Sequence, residues 1–125
     1  MRNTLRWNSP MKSVMKDLQS DNRTTLNAAL QELRRRFVGI DKKEQMQVIM
    51  HHLGRDKKCR EWAYSRLLDL WDESFEPVIR SLWEQYHEEK CAWAVIKHFP
   101  LSYILEYKED LAIGNNRPFV VRRLC

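Results

Sequence analysis

Apolar residues recur every three or four positions almost without interruption between residues 11 and 113, and this spacing constrains the fold most strongly. Leu26, Leu30, Leu33 and Phe37 follow it, for example. Residues at these intervals share one face of an α-helix. Glycine and proline, at 3 and 4 of 125 residues, occur at about half their usual share, which argues against a turn-rich β-sandwich or barrel. The sequence therefore predicts an all-α protein.

Residues with capping chemistry divide this pattern into separate helices. Side chains that accept hydrogen bonds from free N–H groups are preferred at helix N-termini, and glycine is preferred just past C-termini. Pro10 is predicted at the first helical position of a short opening helix. The predicted N-caps are Ser9, Asp41, Asp56 and Ser74, and the predicted helix ends are Gly39, Gly54 and Gly114.

A repeat of helix pairs is visible when the chain is shifted against itself. At a shift of 33 residues, the cap and four apolar positions of 41–53 fall on those of 74–86. Similar matches at shifts of 31 and 34 give about three pairs. We therefore expect a single all-α domain over residues 1–125. It comprises an N-terminal arm and capping helix (1–21), about three helix-pair repeats (22–113) and a C-terminal arm (114–125).

In its period and apolar stripe, the segment from residue 22 to about 113 resembles the HEAT-like and armadillo-like α-solenoids. The resemblance implies a short, right-handed stack of antiparallel helix pairs with a concave face that binds a partner. The alternative is an irregular bundle of six or seven helices.

Charge is unevenly distributed along the chain. The net charge is +7 over residues 1–62, −5 over residues 63–110 and +3 over residues 111–125, which together give +5. Net positive charge favours an anionic partner such as nucleic acid. The acidic middle region weakens that interpretation and makes docking of the basic tail within the chain, or self-association between copies, equally plausible.

Two sets of residues are candidates for binding a partner. The first consists of basic residues at predicted helix ends, which either bind anions or form a solvated face: Arg34, Arg35, Arg36, Lys42, Lys43, Arg55, Lys57, Lys58 and Arg60. The second lies in the C-terminal arm, which either packs on the body as an extended segment or is ordered by a partner: Arg117, Phe119, Val120, Arg122 and Arg123.

Catalytic and metal-binding motifs are scarce. The chain has no glycine-rich phosphate loop, no G-x-S-x-G, no H-E-x-x-H and no C-x-x-C. His87 and Cys91 share a predicted helix face, but a zinc site requires four convergent ligands. Trp71 with Asp69 or Asp72 is similar, in residue type only, to the tryptophans and aspartate of HEAT-like DNA glycosylases that remove alkylated bases. We expect no catalytic residue, no metal and no cofactor.

These observations predict a non-enzymatic α-helical repeat protein that acts as a protein–protein interaction or scaffold module. A nucleic-acid-binding protein that uses the basic N-terminal half is the alternative, and a HEAT-like alkyl-base DNA glycosylase is a further one. No secretory signal, disulfide framework or apolar run of about 20 residues is evident. We therefore expect a cytoplasmic protein that has another protein as its partner, can self-associate and has no membrane contact.

Overall fold

The computed structural model describes residues 10–125, and within this range all regular structure is helical, with no β-strand, which confirms the all-α prediction. The described residues form α1 (Met11–Asp17), α2 (Arg23–Arg36), α3 (Lys42–Leu53), α4 (Lys57–Arg66), α5 (Phe75–Tyr86), α6 (Glu89–His98), α7 (Leu101–Glu106), α8 (Lys108–Leu111) and α9 (Arg117–Leu124), with a 3₁₀ turn at Phe37–Gly39 after α2.

The chain divides into two compact units, and the division falls within α3. The first unit ends at Ile49, and the second comprises Met50–Cys125. In the first unit, α1 packs against α2. Their buried side chains include Val14 on α1 and Leu30 and Leu33 on α2. Burial of this apolar surface is the main force that holds two such short helices together.

In the second unit, α6 is the central helix. It packs against α4, α5, α8 and α9, and α7 packs against α8 and α9. The residues of α6 that face these neighbours are buried: Cys91, Ala92, Ala94, Val95 and Ile96. Contacts made by α6 therefore help to position the helices around it.

Two of the predicted N-caps are confirmed. A carboxylate oxygen of Asp41 accepts a hydrogen bond from the backbone N–H of Glu44 at 2.8 Å. Asp56 accepts one from the N–H of Cys59 at 2.9 Å. Ser74 occupies the predicted N-cap position before α5, but its side chain makes no capping hydrogen bond.

The residues that flank α1 and α5 add two further details. Asp72, two residues before Ser74, accepts a hydrogen bond from the Ser74 N–H at 3.0 Å. Pro10 occupies the N-cap position before α1, not the first helical position as predicted. Ser9 lies outside the described residues.

The C-terminal segment is helical, so the prediction of an extended arm is wrong. Gly114 precedes the helix with a left-handed φ of +55°, and a Cβ atom at this position would collide with the carboxylate of Glu89. Asn116 then begins α9: its carbonyl accepts the N–H groups of Phe119 and Val120 at 3.0 and 3.1 Å. Pro118 in the first turn favours this helix because its φ is already suited to it.

No helix among residues 10–125 is long and apolar enough to cross a membrane.

Candidate functional site

A buried ion pair fixes the start of α6 relative to α4. Arg60 on α4 donates two hydrogen bonds to the Glu88 carboxylate, from Nε to Oε1 at 3.0 Å and from Nη2 to Oε2 at 3.1 Å. The hydroxyl of Tyr64, one turn further along α4, donates to the same Oε1 at 3.0 Å. Arg60 also donates to the carbonyl of Arg55 at 2.8 Å. The bidentate contact between Arg60 and Glu88 fixes both the distance and the relative orientation of the two side chains.

The electrostatics of this cluster favour the charged carboxylate. Burial opposes ionisation of Glu88, but the hydrogen bonds from Arg60 and Tyr64 and the charge of Arg60 outweigh it, so the pKa of Glu88 lies below its ordinary value. Burial raises the pKa of the neighbouring Cys91 thiol to about 12. Cys91 is therefore an unreactive thiol at neutral pH, and the cluster is structural.

A second buried polar group fixes α9 relative to α6. The side chain of Asn116 is fully buried. Its Oδ1 accepts a hydrogen bond from the indole Nε1 of Trp93 at 2.7 Å, and its Nδ2 donates to the carbonyl of Glu89 at 3.1 Å. One amide thus satisfies a donor and an acceptor on successive turns of α6. This contact sets the separation between the two helices.

A pocket with a volume of about 620 Å³ lies beside these two helices. This volume is within the range of about 300–1,000 Å³ that is typical of ligand sites. Its walls are mainly apolar, and its lining residues are Leu68, Trp93, Ile96, Lys97, Phe119, Arg122 and Arg123. We call this site the α6–α9 pocket.

Three cations surround the apolar lining, and two of them are held by main-chain carbonyls. Lys97 Nζ donates to the carbonyl of Leu68 at 2.7 Å, and Arg123 Nη2 donates to the carbonyl of Phe99 at 2.9 Å. The guanidinium of Arg122 lies 6.0 Å from the centre of the Phe119 ring. None of the three forms an ion pair with a carboxylate of the described residues. The pocket therefore combines apolar walls with uncompensated positive charge.

Exposed apolar side chains also lie on α7 and α9 outside the pocket lining. Leu101 and Leu105, one turn apart on α7, are 52% and 57% exposed, and Val121 on α9 is exposed as well. Since α7 packs against α9, these side chains belong to one region of the second unit. Clustered exposed apolar surface commonly marks an interaction site.

The structure gives the other C-terminal candidates separate roles. Val120 is buried and anchors α9 to the body. Arg117 is exposed and lies 3.9 Å from Glu109. Phe119, Arg122 and Arg123 are the three members of this predicted set that line the pocket.

The predicted basic set is dispersed among different environments. In the first unit, Arg35 and Arg36 both pair with Glu32 on their own helix, and Lys42 and Lys43 are exposed at the start of α3. In the second unit, Lys57 and Lys58 are exposed at the start of α4. Arg34 and Arg55 are half-buried. Arg60 is buried against Glu88, with its guanidinium 4.0 Å above the Tyr86 ring, so its charge is used within the fold.

The residues of the glycosylase interpretation lie outside the α6–α9 pocket. The Trp71 ring stacks on His98, with centroids 4.3 Å apart and planes inclined by 5°. Asp72 accepts a hydrogen bond from the Ser74 N–H, and Asp69 is exposed.

His98 Nε2 lies 2.7 Å from the carbonyl of Leu67. Because a carbonyl can only accept, the ring donates. Burial lowers the pKa of His98, and Lys97 and Arg123 contribute to the same direction.

Sequence reasoning missed four residues of the pocket: Leu68, Trp93, Ile96 and Lys97. Trp93 is half-buried and forms part of the pocket wall. Its apolar spacing is that of a core residue, and the spacing of a face does not show how completely a neighbour covers it. The spacing of Phe119, Arg122 and Arg123 is a helical signal that could have placed them on one face.

Comparison of the chain with protein-family models, with curated proteins and with solved structures finds no match. Residues 10–125 contain no group of three or more histidine, cysteine, aspartate or glutamate side chains that could hold a metal ion. The function is therefore argued from the geometry of the α6–α9 pocket.

Proposed function

We propose that this protein is a non-enzymatic interaction module that binds an acidic, apolar segment of a partner protein in the α6–α9 pocket. One observation carries the proposal: apolar walls formed by Trp93, Ile96 and Phe119 lie directly beside the three cations Lys97, Arg122 and Arg123. This arrangement suits an apolar side chain that enters the pocket and carboxylates that lie at its edge.

Burial of an apolar side chain supplies the attraction. A leucine or phenylalanine removed from water contributes about 1.5–3 kcal/mol, and aromatic and arginine residues are over-represented among the residues that dominate interface energies. Trp93, Phe119, Arg122 and Arg123 are all of these types. Leu105 on α7 and Val121 on α9 are further exposed apolar side chains that a partner can cover.

The cations supply selectivity for acidic partners. Positive groups at the rim of an interface mainly raise the association rate and exclude basic partners. Because Lys97 and Arg123 are held by main-chain carbonyls, their positions are fixed before a partner binds. Less conformational entropy is then lost on binding.

The chemistry of the lining supports a binding role over a catalytic one. The lining residues include no carboxylate, imidazole, thiol or hydroxyl group. The single amine, that of Lys97, donates to the carbonyl of Leu68. The pocket thus presents groups that recognise charge and shape, without the paired acid, base or nucleophile that general acid–base or covalent catalysis requires.

The proposal is tested with a synthetic amphipathic peptide of leucine and glutamate, titrated against the full chain by calorimetry. A matched peptide with lysine in place of glutamate tests charge, and one with alanine in place of leucine tests the apolar contact. We expect only the leucine–glutamate peptide to bind, with affinity that falls as salt is raised.

Variants of the chain locate the binding. Phe119→Ala and Arg122→Glu should each weaken it about tenfold or more, since 1.4 kcal/mol corresponds to a factor of ten. Arg66→Glu, the same charge change at an exposed residue outside the pocket, should leave binding unchanged. Equal binding of the glutamate and lysine peptides, or equal loss in R66E and R122E, would contradict the proposal.

A further inference from the structure

The α7–α8 segment of the same chain has the chemistry that the α6–α9 pocket selects. Leu101 and Leu105 are exposed on one face of α7. The next five residues contain three exposed acids, namely Glu106, Glu109 and Asp110, and one exposed cation, Lys108. We call the two leucines and the three acids the acidic strip. A strip with two free leucines and three carboxylates matches a pocket with apolar walls and three cations.

The carboxylates of the strip are little used within the chain. Glu109 lies 3.9 Å from Arg117, but both side chains are largely exposed, and such pairs contribute about 0–1 kcal/mol. Leu101 and Leu105 are more than half exposed, so they do not occupy the pocket of their own chain. The strip is therefore available to another molecule.

The position of the strip favours a second copy of the chain as its partner. The helix α7 packs against α9, so the acidic strip begins on a helix that adjoins one wall of the α6–α9 pocket. In a two-fold dimer, the strip of the first copy contacts the pocket of the second, and the strip of the second copy contacts the pocket of the first. Two complementary patches on neighbouring helices of one unit can both pair in such a two-fold contact, which then closes without further growth.

We infer that the chain forms a two-fold dimer in which the acidic strip of each copy docks on the α6–α9 pocket of the other. This inference rests on the proposed function, because it identifies the acidic, apolar segment that the pocket binds. The partner is a copy of the same chain, with the leucines of α7 against Trp93 and Phe119 and the carboxylates against Arg122 and its neighbours.

Sedimentation velocity of the full chain over a wide concentration range tests the inference. We expect a reversible monomer–dimer equilibrium that shifts to monomer as salt is raised, because the contact pairs opposite charges. The leucine–glutamate peptide should compete for the same pocket and dissociate the dimer. A chain that stays monomeric at every concentration overturns the inference.

Charge reversal provides the decisive comparison. Arg122→Glu places two carboxylates opposite each other in both contacts of a dimer, and Glu106→Arg places two cations opposite each other. Each variant alone should lose self-association by about tenfold or more. In an equimolar mixture, a heterodimer of R122E with E106R restores opposite charges in both contacts. The mixture should therefore associate about as well as the original chain.

Matched controls separate this pairing from general charge effects. Arg66→Glu and Glu84→Arg make the same charge changes at exposed residues outside the pocket and the strip, and neither should change self-association. Restored association also shows that both variants are folded. Failure of the R122E and E106R mixture to associate, when each alone is monomeric, overturns the inference.

The same measurements distinguish the two proposals. A monomeric chain that still binds the leucine–glutamate peptide in the α6–α9 pocket retains the proposed function and refutes the dimer. A chain that neither binds the peptide nor self-associates refutes both. A dimer that forms equally well with R122E refutes the pairing of strip and pocket.

Discussion

Replacement of Glu88 by glutamine tests whether the buried ion pair holds α4 and α6 together. The substitution keeps the size of the side chain and removes its charge. The carboxylate accepts two hydrogen bonds from Arg60 and one from Tyr64. An amide offers only one acceptor oxygen, and its NH₂ group must face one of these donors. The variant therefore leaves a buried cation without its counter-ion.

The expected loss of stability follows from burial. The side chains of Arg60 and Glu88 are only 11% and 9% exposed, and removal of one partner of a buried pair costs about 3–5 kcal/mol. Arg60 retains its bond to the Arg55 carbonyl and its position over the Tyr86 ring, which places the loss near the lower end. We expect Glu88→Gln to reduce the free energy of unfolding by about 3 kcal/mol.

Urea denaturation followed by circular dichroism measures this loss. With a slope of about 1–3 kcal/mol per molar urea, the midpoint should fall by about 1–3 M. Glu76→Gln is the matched control. Its carboxylate lies 3.7 Å from Arg80 and both side chains are about two-fifths exposed, so that loss should stay below about 0.5 kcal/mol. A loss below about 1 kcal/mol for E88Q would refute the reasoning.

The pH dependence gives an independent check. Because the pKa of Glu88 in the folded chain lies below its ordinary value of 4.5, the unfolded chain takes up the proton first as the pH falls. The advantage of the original chain over E88Q should therefore be complete above about pH 4.5. It should decline as the pH falls below that value and be lost below the folded pKa. An advantage that does not change between pH 7 and pH 3 would contradict the assignment.

Two further predictions concern the buried amide of Asn116 and the imidazole of His98. Asn116→Ala removes the hydrogen bonds to Trp93 and Glu89 and should cost about 1–3 kcal/mol. The increase in amide hydrogen exchange should then be largest in α9. Asn115→Ala, at an exposed residue, should have little effect on stability or on exchange. His98→Gln should remove part of the stability loss on acidification. Burial lowers the pKa of His98 from 6.5, so the original chain loses stability as the pH falls below about 6.5. If the free energy of unfolding of H98Q and of the original chain fell by the same amount between pH 7 and pH 5, this prediction would be contradicted.

The helices and two of their caps could be predicted from sequence because both depend on residues that are close along the chain. Apolar spacing gave the helical segments, and Asp41 and Asp56 bond to N–H groups three residues away. The C-terminal helix was missed for the same reason. Its determinants are the contacts of Asn116 with Trp93 and Glu89, which lie 23 and 27 residues earlier.

The role of Arg60 shows a second limit of sequence reasoning. It stands in a run of basic residues, which is the usual composition of a solvated helix end. Its partner Glu88 is 28 residues away, so no local pattern marks it as buried. The pocket could not be predicted for a similar reason. Trp93 and Ile96 follow the same apolar spacing as core residues, and the half-buried state of Trp93 depends on where α9 packs.

The uneven charge of the chain acquires a specific meaning from the way α9 is attached. If charge held the basic tail to the acidic region, strong ion pairs would join them. Instead α9 is attached by the Asn116 amide, by the buried Val120 and by the bond from Arg123 to a carbonyl. Within the part of the chain that the structure describes, the ion pair seen between these regions joins Arg117 to Glu109 and is exposed and long. Ion pairing therefore contributes little to docking the tail, and the cations of the pocket, together with Glu106 and Asp110 of the acidic strip, form no ion pair among the described residues.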